Sequence, residues 1–447
     1  MAGYTAYSVS WNLTQRCNLE CAHCYMSAFA GADARGELST EECRRVIDEI
    51  GEVNPNVLLI LTGGEPLLRR DVFDVAAYAA DKGFTVVLGT NGLLLREQEA
   101  RRLREAGVLG ASLSLDSIDR ARHDRFRHQP GAWDGAIRAT ETLRGEGLDF
   151  SLHMSVTDWN LGEVPAMIDL ARELGARVLN FFFLVRTGRG AHLTDITPAQ
   201  YERVLIYLAK AQGVGARGPT AAPDPPGPRA FEDPWSAPVG RAGDLLIRAK
   251  CAPHFRRIIW ELDPSSPLLG NYAHGACPAG KYYCRITPDG DVTPCPYLPV
   301  SAGSVRRASF ADLWRGASVL EELRDPKLGG RCGACEFSKI CGGCRCRAYA
   351  TSGDYLGEDP ACAYQPGAHG GRVIDLPPSL TFGLEVRYEI TWDEAARARL
   401  HAVPAFARGM VVKAVEAYAR GRGEAVVTLG MLADVRAQWG ARFRPRG

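Results

Sequence analysis

The feature that most constrains the fold of this chain is a repeated alternation of short apolar runs with amphipathic stretches, from residue 8 to about residue 212. Such alternation is typical of β/α units that stack on a parallel sheet. Six units favour an α/β fold with a partial (β/α)6 barrel over a closed barrel of eight units. The six runs with the length of strands are Ser8–Leu13, Val57–Leu61, Thr85–Gly89, Ala111–Leu115, Phe150–Val156 and Val178–Phe183.

Amphipathic stretches between these runs predict the helices of the units. Ser39, with Glu42 three residues later, forms a capping-box pattern and predicts a helix that begins there. In a barrel of parallel strands the site lies at the carboxyl ends of the strands, so polar residues after each strand are the first candidates for function. Helical periodicity predicts four further helices, Asp71–Asp81, Glu97–Glu105, Trp133–Gly145 and Leu161–Leu174.

Charge and hydropathy exclude several classes of partner. The 53 Lys and Arg residues balance 52 Asp and Glu residues, so no global field favours nucleic acid or an anionic membrane. The first residues lack a basic segment followed by an apolar one, and no run of 18 apolar residues occurs. We therefore expect a cytoplasmic protein with neither nucleic acid nor membrane as a partner.

The 14 cysteines are grouped at short spacings, which in a long chain without an export signal favours metal ligation over disulfides. Cys17, Cys21 and Cys24 follow the first predicted strand as C-x-x-x-C-x-x-C, and Tyr25 comes next. Three thiolates can hold three irons of a four-iron cluster and leave the fourth iron to an external chelator. A structural zinc site would need a fourth protein ligand.

A second motif, Thr62-Gly63-Gly64-Glu65-Pro66, follows the second predicted strand. Its glycines let the backbone approach a ligand closely, and Glu65 can accept a hydrogen bond from an ammonium group. Together the two motifs resemble those of the radical S-adenosylmethionine (SAM) superfamily. The resemblance implies that Cys17, Cys21 and Cys24 hold a redox-active 4Fe–4S cluster that cleaves SAM to a 5′-deoxyadenosyl radical. It also implies that Gly63, Gly64 and Glu65 bind the SAM amino group.

Further candidates for SAM contacts lie at other strand ends. Asn91 follows the third strand, Ser114 belongs to the fourth and Ser155 to the fifth, so each is predicted to face the site. Tyr25 is a candidate support for the adenine. Alternatively, Asn91, Ser114 and Ser155 are ordinary polar residues that cap strand ends, and Tyr25 is a surface tyrosine.

The segment 251–371 is dense in cysteine and resembles the SPASM domain, which binds two auxiliary 4Fe–4S clusters. The resemblance assigns Cys277, Cys284, Cys295 and Cys344 to one cluster and Cys332, Cys335, Cys341 and Cys362 to the other. The expected C-x-x-x-C spacing falls between Cys344 and Cys346, so the choice between these two stays open. A pair of zinc ribbons is the alternative. Cys251 is either within reach of substrate or an inert thiol, and Cys43 is expected to be a buried apolar residue.

The remaining parts of the chain are a proline-rich linker or lid, predicted at 213–250 after a barrel at 1–212, and a helical module at 372–447. A capping-box pattern at Thr391 and Glu394 begins the module, whose predicted helices are Trp392–Leu400, Phe406–Arg420 and one from Leu429. It resembles the C-terminal module of the light-independent protochlorophyllide reductase B subunit. The matching residues are Trp392, Glu394, Ala395, Leu400, Pro404, Phe406, Arg408, Glu416, Tyr418, Ala419 and Arg420.

Only a resemblance to known enzymes indicates the substrate of this protein. The segments 11–14, 183–190 and 251–254 resemble radical SAM/SPASM enzymes of haem and d-type haem biosynthesis, which implies a tetrapyrrole substrate and an electron donor such as flavodoxin or ferredoxin. The candidates for binding the carboxylates of that substrate are Arg186, Arg189, Arg256 and Arg257. The alternative is that these are solvated surface arginines.

Two alternatives stay open. One is a maturase of ribosomally made peptides, for which the 16 residues before Cys17 leave no room for a leader-binding domain, although a separate protein could supply one. The other is a non-catalytic iron–sulfur electron carrier, in which the Gly63–Glu65 motif would have no purpose.

Overall fold

A computed structural model describes residues 4–214, 245–270, 277–376, 388–401 and 405–442 of the chain. Its centre is a sheet of ten strands, which confirms the α/β class. Numbered along the chain, the strands are β1 Ser8–Asn12, β2 Leu58–Thr62, β3 Thr85–Thr90, β4 Gly110–Ser114, β5 Asp149–Val156, β6 Val178–Phe183, β7 Leu246–Lys250, β8 Tyr283–Ile286, β9 Asp291–Thr293 and β10 Gly303–Ser304.

The strands lie in the order β10-β9-β8-β1-β2-β3-β4-β5-β6-β7. From β8 to β7 every neighbouring pair is parallel, and β9 and β10 complete one edge as antiparallel strands. All six predicted strands occur, each within about one residue of its predicted bounds. The cysteine-rich segment therefore does not build a sheet of its own, because β8 extends the barrel sheet next to β1.

Helices cover the outer face of the sheet. Ser39 and Glu42 form the predicted capping box, with the Ser39 hydroxyl accepting from Glu42 N and Glu42 accepting from Ser39 N. The helices of the barrel are α1 Thr40–Val53, α2 Val72–Asp81, α3 Glu97–Glu105, α4 Arg120–Arg127, α5 Ala132–Gly145, α6 Val164–Leu174, α7 Pro198–Ala211 and α8 His254–Leu262. Those of the cysteine-rich segment are α9 Phe310–Gly316, α10 Ser318–Arg324, α11 Gly330–Ala334 and α12 Arg345–Ser352.

The two faces of the sheet differ in burial. Along β5, Leu152, Met154 and Val156 point to the helices and are fully buried, whereas Ser151 and His153 on the inner face are only half-buried. The same alternation appears in β7, where Ile247 is buried and Lys250 is half-buried. The inner face is thus polar and partly open, unlike the packed interior of a closed eight-stranded barrel.

One prediction about organisation needs correction. The predicted linker, 213–250, contains the strand β7 at its end, because Leu246–Lys250 pairs with β6. Residues 215–244 of that linker, with all seven of its prolines, lie outside the described residues. None of the helices in the described ranges is long and apolar enough to cross a membrane.

The C-terminal segment is helical, as predicted, with α13 Glu394–His401, α14 Ala405–Gly421 and α15 Leu429–Arg442. The predicted capping box at Thr391 is wrong: Thr391–Trp392 is a short strand, β11, that pairs with β12 Val426–Val427, and the Asp393 carboxylate accepts from Ala396 N. Pro404 lies outside the described residues. Glu416 is 2% exposed and accepts hydrogen bonds from the Trp392 indole at 3.0 Å and from Glu389 N at 3.0 Å.

We expect Glu416→Leu to loosen this module, because it leaves the buried Trp392 indole N–H and the Glu389 backbone N–H without their acceptor, at a cost of about 1–3 kcal/mol. Glu416→Gln keeps a carbonyl oxygen as acceptor and should therefore destabilise the module less than Glu416→Leu. Hydrogen–deuterium exchange of residues 405–421 in the full chain should accelerate about tenfold in Glu416→Leu. Equal exchange in wild type and Glu416→Leu would show that this hydrogen-bond centre does not stabilise the module.

Candidate active site

The first three cysteines lie in the loop that follows β1, residues 14–28, here called the cysteine loop. Each sulfur accepts a hydrogen bond from a donor held by the fold. Leu19 N donates to Cys17 Sγ at 3.4 Å, Ala28 N to Cys24 Sγ at 3.4 Å, and Arg127 Nη1 to Cys21 Sγ at 3.6 Å. Donors aimed at sulfur are what the thiolate ligands of an iron–sulfur cluster require. Burial raises the pKa of the Cys17 thiol to about 12, so a bound metal is needed to keep it deprotonated.

Gly63 and Gly64 connect the end of β2 to the cysteine loop. Gly64 N donates to Thr14 O at 2.8 Å and Glu65 N donates to Arg16 O at 2.8 Å. A Cβ on Gly64 would lie 2.1 Å from Arg16 O, and one on Gly63, whose φ is +145°, would lie 2.6 Å from Thr14 O. The glycines are therefore required for close contact between two backbone segments, a reason that the sequence analysis did not identify.

Glu65 is fully buried beneath the cysteine loop. Its carboxylate accepts from Thr90 Oγ1 at 2.8 and 2.9 Å, from Asn91 N at 2.9 Å and from Leu67 N at 3.2 Å. Burial raises its pKa to about 7, against the opposing effect of these hydrogen bonds. Glu65 thus ties the end of β2 to the end of β3, and its contact with a SAM ammonium group stays a prediction.

We expect Glu65→Ala to weaken SAM binding about tenfold or more while leaving the iron content unchanged, because it removes a charged acceptor and no thiol. The measurement is equilibrium binding of SAM to anaerobically reconstituted protein, together with iron analysis. Glu97→Ala, at the exposed start of α3, is the matched control. Unaltered SAM affinity in Glu65→Ala would refute the assignment.

The other predicted SAM contacts are distributed around the same edge of the sheet. Asn91 Nδ2 donates to Asn18 Oδ1 in the cysteine loop at 2.8 Å. Ser114 and Ser155 lie half-buried on the inner face. Tyr25 lies toward the cysteine-rich segment: its hydroxyl accepts from Asn12 Nδ2 at 2.9 Å, and its ring meets that of Tyr297 at 5.2 Å. The roles of all four residues toward SAM stay predictions.

A buried ion pair that sequence reasoning missed supports the cysteine loop. Asp116, directly after β4, is fully buried and pairs with Arg127 at 2.6 Å. The same carboxylate accepts from Ser155 N at 2.8 Å, so that it joins the ends of β4 and β5 to Cys21 through Arg127. Asp116 at a strand end was a visible signal, but nothing in the sequence indicates that Arg127 of α4 folds back onto it.

The arginines proposed for carboxylate binding have other partners. Arg189 Nε donates to Cys21 O at 2.9 Å and Arg189 Nη2 to Ala28 O at 2.9 Å, so this residue holds the cysteine loop. Arg256 is buried and donates to Leu269 O, and Arg257 is buried in ion pairs with glutamates 202 and 261. Arg186 is exposed and donates to Ala191 O. These contacts give Arg189, Arg256 and Arg257 a structural role, and the binding of substrate carboxylates by any of the four stays a prediction.

A second group of thiols matches one predicted auxiliary set. Cys332, Cys335, Cys341 and Cys362 line one common cavity. Asp359 N donates to Cys332 Sγ at 3.4 Å, and Phe337 N donates to Cys335 Sγ at 3.4 Å. These sulfurs thus have the same kind of backbone donors as those of the cysteine loop, which fits an iron–sulfur cluster.

The third group of thiols brings Cys346 together with predicted members of the other auxiliary set. The sulfurs of Cys277, Cys344 and Cys346 lie within 4.8 Å of one another, and Cys346 also makes a side-chain hydrogen bond with Cys295. Cys284, which the resemblance assigns to this set, is fully buried, and the alternation of side chains along β8 turns it to the face opposite Tyr283 and Arg285. Its place in this set stays a prediction.

Asp359 connects the two auxiliary groups of thiols. Its backbone N–H donates to Cys332 Sγ, while its carboxylate accepts from Cys344 N at 2.7 Å and pairs with Arg347 at 3.1 Å. Arg347 in turn donates to Cys251 O at 2.9 Å, directly after β7. Burial and the nearby cysteines Cys344, Cys295 and Cys277 raise the pKa of the Cys251 thiol, which places Cys251 beside the third group.

Family profiles match three parts of the chain. The profile of the Radical SAM superfamily matches residues 11–171, that of the iron-sulfur cluster-binding SPASM domain residues 277–336, and that of the proto-chlorophyllide reductase 57 kD subunit residues 392–436. An AdoMet-dependent heme synthase of Methanosarcina barkeri is 39% identical over 80% of this chain and 97% of its own length.

The chain belongs to the radical SAM superfamily. Its cofactors are SAM and 4Fe–4S clusters, and it cleaves SAM reductively to a 5′-deoxyadenosyl radical that abstracts hydrogen from a substrate. A second relative of this radical SAM enzyme is the pre-heme d1 synthase of Dinoroseobacter shibae, 32% identical over 82% of this chain and 88% of the relative. SuiB of Streptococcus suis, in a structure with bound SAM, has a TM-score of 0.59 at 14% identity over 81% of this chain and 78% of SuiB, and shares the fold.

Proposed function

We propose that this radical SAM enzyme acts on a tetrapyrrole, removing hydrogen next to a propionate or acetate side chain so that the side chain is lost or altered. The observation that carries the proposal is the 39% identity to a heme synthase across 97% of that enzyme's length. If a carboxylate leaves as CO2 after loss of a hydrogen atom, one electron must also leave the substrate. The auxiliary clusters supply an acceptor for that electron when they are bound.

We assign the ligands of the clusters from the groups of thiols. Cys17, Cys21 and Cys24 would hold the cluster that binds SAM, and the cavity of Cys332, Cys335, Cys341 and Cys362 would hold one auxiliary cluster. Cys277, Cys295, Cys344 and Cys346 would hold the other, in place of the set that includes Cys284. The thiol contacts support this exchange of one ligand.

The chain itself positions these groups. Arg127 and Arg189 hold the cysteine loop against the ends of β4 to β6, and Gly64 allows the loop after β2 to reach it. Asn91, Ser114 and Ser155 present polar groups at the carboxyl ends of the strands, where SAM is expected. Fourteen cysteines and a requirement for reduced flavodoxin or ferredoxin suit a reducing cytoplasm.

The test is anaerobic turnover with SAM and a reductant, following 5′-deoxyadenosine and the mass of the second substrate. One arm contains an iron porphyrin that bears propionates, and the other contains a short precursor peptide encoded near the gene. The proposal predicts a porphyrin of lower mass and an unchanged peptide. A changed peptide with an unchanged porphyrin would support a peptide maturase instead, and no 5′-deoxyadenosine in either arm would support an electron carrier.

A further inference from the structure

Lys250 is a cation on the inner face of the sheet at the carboxyl end of β7. It is in register with Phe182 of β6, and side chains in register on parallel strands point to the same face. The Phe182 ring contacts that of His153 on β5 at 5.0 Å, and Lys250 is the strongest charge acting on His153. The inner face near the end of β7 therefore includes an ammonium group and an aromatic ring, with Ser155 in register on β5 and the His153 imidazole two residues before it.

No counter-charge compensates Lys250 in the part of the chain that the structure describes. Its ammonium group has no hydrogen bond or ion pair there, and the charged groups that act on it are Arg248, another cation, and the Cys251 thiol. Burial lowers the pKa of Lys250 to about 7. An anion bound beside it would favour the charged form.

Three tyrosines lie near the cysteine loop and β8: Tyr25 contacts Tyr297 at 5.2 Å, and Tyr283 belongs to β8. Cys251, which follows Lys250 directly, lies within electrostatic reach of Tyr297, as do Tyr25 and Tyr283. Arg285 of β8 lies over the Tyr25 ring at 5.4 Å. All three tyrosines are half-buried, so part of each ring stays accessible. A flat, conjugated ligand matches such aromatic walls, and its anionic groups match the cations at their edge.

We propose that the Lys250 ammonium group binds a carboxylate of the substrate and thereby orients a flat macrocycle on the inner face of the sheet, between β7 and Tyr25, Tyr283 and Tyr297. This inference rests on the proposed tetrapyrrole substrate and assigns a carboxylate contact to Lys250, whereas Arg189, Arg256 and Arg257 already have partners within the fold. The required ligand is a porphyrin with free carboxylates.

The test compares binding of coproporphyrin III, which has free propionates, with binding of its tetramethyl ester to reconstituted full-length protein. Lys250→Met removes the charge and keeps most of the side-chain volume, Lys250→Arg keeps the charge, and Lys210→Met at the exposed end of α7 is the control. Iron content and circular dichroism establish that each variant is folded and loaded. Binding is followed by the change in porphyrin absorbance.

We expect Lys250→Met to bind the free acid about tenfold or more weakly than wild type and to bind the ester unchanged. Lys250→Arg should retain most of the affinity for the acid, and Lys210→Met should match wild type. Equal weakening for acid and ester, or no weakening for the acid, would overturn the role of Lys250 and leave the proposed function standing. If wild type binds neither porphyrin, the proposed function fails and this inference fails with it.

Discussion

Gly64→Ala is expected to reduce SAM cleavage about a hundredfold or more, because the added methyl group cannot fit without moving the cysteine loop. Its Cβ would lie 2.1 Å from Arg16 O, 2.5 Å from Arg16 C and 3.0 Å from Cys17 Cβ. Two of these atoms are backbone and the third belongs to a cluster ligand, so the conflict cannot be relieved by a side-chain rotation. The displacement would also break the hydrogen bond from Glu65 N to Arg16 O.

The measurement is 5′-deoxyadenosine formation by anaerobically reconstituted, reduced protein, with iron content as the second readout. Gly36→Ala is the matched control in the same region, since a Cβ there meets nothing within 4 Å. Gly36→Ala should retain wild-type activity. Wild-type SAM cleavage by Gly64→Ala would contradict the close approach of the two loops.

Cys346→Ala is expected to remove one auxiliary cluster, or about a third of the iron in a protein with three four-iron clusters. Cys284→Ala should leave the iron content at the wild-type value, because the Cys284 side chain lies in the apolar core on the other face of β8. We expect Cys284→Ala to lower the free energy of unfolding by about 1 kcal/mol, because it removes one buried sulfur.

Cys251 is near enough to complicate the result, because its thiol lies beside Cys295 and Cys344. A Cys251→Ala and Cys346→Ala double variant therefore prevents Cys251 from replacing the missing ligand. The readouts are iron content and the electron paramagnetic resonance spectrum of the reduced protein. Loss of a cluster in Cys284→Ala, together with a full complement of iron in the double variant, would contradict the assignment and restore the set predicted by resemblance.

Much of the barrel could be predicted because its signals are local. Each of the first six strands is a short apolar run next to an amphipathic helix, and Ser39 with Glu42 marks the start of α1 within four residues. β7 escaped prediction since Leu246–Lys250 is short, carries two cations after a proline-rich stretch and gains its identity from pairing with β6. Thr391 illustrates the opposite error, a capping-box pattern that pairing of β11 with β12 overrides.

The candidate site also combines features that the sequence predicts with features that it does not. The spacing of Cys17, Cys21 and Cys24 predicts their chemistry because all three lie within one short loop of the chain. Contacts such as Arg189 with Cys21 O bridge distant segments and leave no sequence pattern. Cys284 also carries a local signal: in Tyr283–Ile286 the alternation of a strand puts Cys284 and Tyr283 on opposite faces.

The most direct test of the account is transfer of deuterium from substrate to 5′-deoxyadenosine. The reduced enzyme is incubated with SAM and an iron porphyrin whose propionate side chains carry deuterium, and the 5′-deoxyadenosine is analysed by mass spectrometry. The account predicts that 5′-deoxyadenosine gains deuterium in step with the change in porphyrin mass. Unlabelled 5′-deoxyadenosine and an unchanged porphyrin, from protein that contains all three clusters and cleaves SAM, would contradict it.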